Sequence, residues 1–151
     1  GKQITDSRLR SHLLSLDLSG TDKNLPGRLP LYEGMPVILW SHNIAPYLKV
    51  TNGAQGTLHR IFTKPDNHGN SVATCALVHF PNSPVRINGL PEGVYPILPQ
   101  TWSFVTPLPS TDTSKVSGHR VSRKQLPIQP AFAVTGHCAQ GKMLNSVVFD
   151  L

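Results

Sequence analysis

The sequence predicts a mainly β chain with short helices, an α+β arrangement dominated by strands, and three observations carry this. Fourteen prolines spread through 151 residues leave few stretches long enough for a helix. The charged fraction is 15%, against roughly a quarter in ordinary globular domains, so the long charged faces of bundles and coiled coils are missing. Apolar runs are short and bounded by turn residues. An apolar share of 38% with 12 glycines is still enough for a packed core, which excludes a chain disordered throughout. No window approaches the 18 or so consecutive apolar residues of a membrane span, and the opening GKQITDSRLR lacks the apolar centre of a secretory signal. The expectation is a soluble, intracellular protein with no membrane partner.

The elements follow in order. Asp6 is placed to cap a helix carrying Leu9, Leu13, Leu14 and Leu16 on one side, ended by Ser19-Gly20-Thr21-Asp22. In Leu25-Pro26-Gly27-Arg28-Leu29-Pro30-Leu31 the spaced prolines forbid helix and favour an extended connector. Residues 35–40 read as a short apolar strand, Asn52-Gly53 as a tight turn, 56–62 as the next strand and 71–80 as a longer one. Residues 81–113 hold 7 prolines and a single basic residue, Arg86. They predict short edge strands at 84–87, 94–98 and 101–106. Charge then returns in Lys115, His119, Arg120, Arg123 and Lys124 after a Ser/Thr-rich link, a cluster that on composition alone reads as a solvated loop. Pro130 suits the first turn of a helix over 131–141 that stops at Gly141, and a valine-rich strand follows.

Several chemistries find no support. Cys75 and Cys138 lie in no CxxC pair, so neither a disulfide framework nor a zinc site is indicated. The seven histidines show no HxxxH spacing. His137 and Cys138 are neighbours, about 100° apart on a helix, and cannot readily form a nucleophile–base pair. A net charge of +6 favours polyanions without specifying one. Trp40, Tyr47, Trp102 and Phe104 could stack bases, although each suits a core equally well.

Two ordered blocks carry a resemblance. Gln125-Leu126-Pro127, then Ala131 to Lys142 as AFAVTGHCAQGK, then a strand ending Asp150-Leu151, resembles the QLPL…AYAxTxHKxQG…VxVDL stretch, motif V, of Pif/RecD-type superfamily 1 DNA helicases. Leu31, Gly34, Val37, Asn43, Asn52-Gly53 and Gly56 resemble that family's LxxGxxVMxxxN…NGxxG element. The phrase LPGRLPLYEGMPVIL is similar to Pif-like relatives in fungal genomes. Two departures stand out: Cys138 occupies the position of the family's Lys, and Gly136 replaces a larger residue.

The resemblance implies a helical and extended lead-in over 1–30, a small Src-homology-type β-barrel over 31–126, and the motif V part of a second RecA-like lobe over 127–151. It implies ATP-dependent 5′ to 3′ translocation on single-stranded DNA by an intact motor, in repair, recombination and telomere maintenance, with a nuclear setting first and a mitochondrial one second. By position, Thr135 and His137 become DNA contacts and Gln140 and Gly141 sense the nucleotide. Arg120, Arg123 and Lys124, just ahead of the motif, are further candidates for phosphate contact, and Gly34, Asn52, Gly53 and Gly56 are turn residues. ATP and Mg2+ belong to the parent, since the GxxxxGKT-type loop, the acidic pair and the later arginine motif are absent from this sequence. Gly1-Lys2-Gln3 lacks both the glycine-rich lead-in and the Ser or Thr of such a loop. The opening at Gly1 and the close on Val147-Val148-Phe149-Asp150-Leu151 read as a piece of a longer chain, whose partner is the missing first RecA-like lobe. The chain alone is therefore expected to be catalytically inactive. The competing expectation is a non-enzymatic β-barrel module that binds nucleic acid or protein.

Overall fold

In the computed structural model, which describes residues 4–16, 25–40, 43–107 and 118–132, the chain is mainly antiparallel β with one short α-helix. The helix, α1 (Ser7–Ser15), starts where the Asp6 carboxylate accepts the Arg8 and Leu9 N–H groups at 2.8 and 3.2 Å. That satisfies two of the donors a helix start leaves open. It ends sooner than 19–22, because Leu16 is extended and its carbonyl accepts the Gly27 N–H at 2.6 Å. The returning connector has taken the acceptor that another helical turn would need. Among the described residues no helix is long and apolar enough to cross a membrane.

The strands are β1 (Pro36–Leu39), β2 (Gln55–Pro65), β3 (Ser71–His79), β4 (Val94–Ile97), β5 (Gln100–Pro107), β6 (Gly118–Gln125) and β7 (Ile128–Pro130). Five of them form one antiparallel sheet in the order β4-β3-β2-β1-β7, and β5 pairs with β6 as a two-stranded ribbon. Leu98-Pro99 alone separates β4 from β5, and Leu126-Pro127 alone separates β6 from β7. With Gln100 paired to Gln125 at its base, the ribbon joins the two edges of the sheet. The core packed against the five-stranded sheet is aliphatic, with Val37, Leu39, Leu58, Val78 and Ile97 all at 0 or 1% exposure beside Phe80.

Residues of the Leu31–Gly56 block shape the approach to β1, the β1–β2 connection and the start of β2. Gly34 and Gly53 have φ of +89° and +81°, backbone that residues with a side chain rarely adopt. The Asn43 side-chain oxygen accepts the Asn52 N–H at 2.9 Å, and Leu39 exchanges hydrogen bonds with Gly53 and Ala54. Gly56 is demanded by space instead: a Cβ there would meet the His79 carbonyl oxygen at 2.6 Å.

Four expectations are corrected. Residues 84–87 form no strand; Ser83 and Val85 turn inward, and Val85 O accepts Gly93 N–H to close a loop. Residues 118–125 are strand β6, not a solvated loop. Pro130 does not open a helix: it pairs with Val37 at the end of β7, an edge strand where a missing N–H is tolerated. The sheet therefore continues beyond residue 126 to Pro130, and the Ala131 N–H bonds Pro36 O at 2.9 Å.

Candidate nucleic-acid interface

Strict alternation gives the ribbon two unlike faces. Trp102, Phe104 and Thr106 on β5 and Val121 on β6 are buried, whereas Thr101, Ser103, Val105, Arg120, Ser122 and Lys124 are exposed. The register pairs exposed with exposed: Thr101 with Lys124, Ser103 with Ser122 and Val105 with Arg120. Arg120 and Lys124 stand four residues apart on this outer face, about 13 Å along the strand. The Ser103 and Ser122 hydroxyls share a hydrogen bond at 3.0 Å between them. Neither Arg120 nor Lys124 makes an ion pair among the described residues.

The inner face is anchored on the lead-in. Leu13 and Leu25 pack against Trp102, Phe104 and Val121, with Trp40 tilted on Trp102 at 5.9 Å between ring centroids. Arg123 completes this cluster, which changes its predicted role. Its guanidinium donates to Leu25 O at 2.8 Å and Leu13 O at 2.7 Å, and lies 5.0 Å from the centre of the Phe104 ring. Leu13 O is in the last turn of α1, where carbonyls lack helical partners and a cation is favoured. Arg123 is thus held as a structural clamp, its guanidinium turned to backbone carbonyls; burial lowers its pKa. Trp102 and Phe104 are likewise core residues and offer no face for stacking.

Between α1, the 25–31 connector, the β2–β3 hairpin and β6 lies a cleft of about 540 Å³ lined by Arg10, Arg28, Asp66, Asn70, Arg123 and Lys124 among others. Arg10 spans it to Asp66 at 3.1 Å. The Asp66 pKa falls to about 2, first through the Asn70 side-chain hydrogen bond, then through the Asn70 and His68 N–H groups, with Arg10 adding a smaller pull. Its charge is therefore spent inside the β2–β3 turn. Arg28 and Lys124 remain to give the cleft a positive character.

Thr135, His137, Gln140 and Gly141, with Cys138, lie outside the described residues. Cys75 on β3 is a half-buried thiol whose pKa is raised by burial, the opposite of what a nucleophile needs. No group of three His, Cys, Asp or Glu able to hold a metal ion occurs among the described residues. Sequence reasoning missed one feature entirely. Tyr32 and Phe132, 57% and 63% exposed, stack on each other with centroids 6.3 Å apart and planes 23° from parallel. They are 100 positions apart in sequence, and only the β1–β7 pairing, absent from any local pattern, brings them together.

No family model matches this chain, and no curated protein matches it.

Proposed function

We propose that this chain is a single-stranded DNA-binding β module, the part that a Pif/RecD-type superfamily 1 helicase carries around motif V. The observation that carries the reading is the outer face of the β5–β6 ribbon, which presents Arg120, Lys124 and three hydroxyl side chains while the opposite face is fixed to α1. Such a strip neutralises phosphates and releases their counterions, which favours binding without reading sequence. The motif residues Gly34, Asn43, Asn52 and Gly53 support the same reading, since they shape the turns on either side of β1.

Among the described residues there is no Gly-Lys step of the kind that ends a phosphate loop and no group of three His, Cys, Asp or Glu that could hold a metal ion, so ATP and Mg2+ are assigned here by the resemblance alone. On this reading those ligands belong to the first RecA-like lobe of an intact motor, which together with DNA is the partner of this chain. A nuclear setting, or a mitochondrial one, follows from the same assignment.

Fluorescence anisotropy with labelled single-stranded DNA across a salt series tests the proposal. Log affinity is expected to fall linearly with log salt, with a slope near −0.7 per phosphate neutralised, and the Arg120→Ala/Lys124→Ala double variant is expected to flatten the slope by about 1.4. A salt response that is flat, or unchanged in the double variant, rejects the ribbon as the DNA-binding face.

A further inference from the structure

We infer that the stacked Tyr32–Phe132 pair is a step on which an unpaired nucleobase stacks; this rests on the single-stranded DNA reading above. Tyr47, Phe62, Leu98 and Val105 are also exposed, but ring stacking between two exposed aromatics is recorded among the described residues only for Tyr32 and Phe132. Scattered exposed apolar side chains are ordinary on protein surfaces, whereas two stacked rings present a contiguous flat apolar surface to water. Both rings are more than half exposed.

The surroundings say what kind of occupant fits. Tyr32 and Phe132 flank the start of β1: Gly34 N–H bonds Leu58 O, and Ala131 N–H bonds Pro36 O. On the adjacent β2 the register slips between Leu58 and Arg60, a bulge that leaves both His59 and Arg60 exposed. Glu33, next to Tyr32, turns its carboxylate towards the Ile61 N–H at 3.4 Å. The described residues carry ten Lys or Arg against four Asp or Glu. An apolar, planar and polyanionic partner matches this combination, because the base covers the rings while its phosphates meet the positive field. An apolar protein surface would cover the rings but gain nothing from the charge.

The test uses the wild-type chain with two oligonucleotides of equal length and charge, one of thymidines and one with abasic positions throughout. Stacking contributions per base imply that the thymidine strand binds about five-fold to a hundred-fold more tightly at the same salt. Tyr32→Ala and Phe132→Ala are each expected to bring the two affinities together with the salt slope unchanged, and Tyr32→Trp is expected to preserve the difference. Equal binding of the two strands by the wild-type chain, with a normal salt slope, overturns the inference, leaves the ribbon reading intact and makes the rings a protein contact. Failure of both strands to bind at low salt overturns the DNA reading and this inference with it. Because the decisive comparison varies the DNA and not the protein, it does not depend on whether a variant folds.

Discussion

The two hydrophobic clusters of this molecule are held by different physics. The core on the five-stranded sheet is made mainly of aliphatic residues and Phe80, contributed largely by strands that a continuous antiparallel ladder ties together. The cluster between α1 and the β5–β6 ribbon is smaller and aromatic, and Leu13, Trp102 and Val121 each retain 6–8% exposure. What the second cluster lacks in burial it makes up in directed contacts: the Asp6 cap, the Arg123 clamp and the Arg10–Asp66 pair. A surface that carries Arg120 and Lys124 is thereby mounted on a joint set by hydrogen bonds, while the sheet behind it is set by packing. The lesson is that the face proposed for DNA and the scaffold beneath it can be weakened separately.

The largest effect is expected in the core of the five-stranded sheet. Phe80→Ala removes a side chain that is 2% exposed, and large-to-small changes at such sites cost about 3–5 kcal/mol. Urea unfolding followed by far-UV circular dichroism measures this, and a loss below about 1 kcal/mol would show that the interior is not the dominant core. Arg123→Ala is expected to cost less, about 2–3 kcal/mol, because charge-assisted hydrogen bonds contribute about 1.5–3 kcal/mol each and part of the site can rehydrate. Near-UV dichroism of the Trp40–Trp102 pair should change with it, and the salt slope of DNA binding should not. If Arg123→Ala flattened that slope as much as Arg120→Ala, Arg123 would be a phosphate contact after all and the clamp assignment would fall.

How much of this was legible in the sequence follows the same division. The strands of the five-stranded sheet announce themselves because β1 and β3 are apolar runs and Asn52-Gly53 marks a turn that the backbone adopts with positive φ at Gly53. The Asp6 cap was visible too, since an acceptor just ahead of a leucine stripe is a local signal. Strand β6 was not, because its inner face reads Val121, Arg123, Gln125, in which one valine gives too little apolar period to detect. Arg123 looked like a member of a basic cluster; that it points inward depends on carbonyls of Leu13 and Leu25, about a hundred residues earlier. The Tyr32–Phe132 stack is hidden for the same reason, a contact set by strand pairing rather than by any neighbouring residue. The motif V residues Thr135, His137, Gln140 and Gly141 remain a resemblance in sequence.

The smallest expected effect sharpens the contrast through pH. Asp66 has its folded pKa depressed to about 2 from 3.8. A depressed carboxylate contributes stability that is fully present above its unfolded pKa and lost as pH falls through the folded value, so the window runs from about pH 4 down to about pH 2. The buried cluster on the five-stranded sheet carries no titrating group, so acid in this window acts first on the Asp66 turn and its tie to Arg10 on α1. Other carboxylates protonate in the same range, and comparison with Asp66→Asn isolates this one: the variant's Tm should fall less between pH 5 and pH 2 than that of the wild-type chain. The order of causes makes the prediction finer. Asn70 contributes most to the depression and Arg10 less, so Asn70→Ala should move the acid transition to higher pH than Arg10→Gln does. A larger displacement from Arg10→Gln would mean that the ion pair across the cleft, rather than the hydrogen bonds inside the turn, holds the carboxylate down, and that the joint between α1 and the sheet is more electrostatic than its geometry implies.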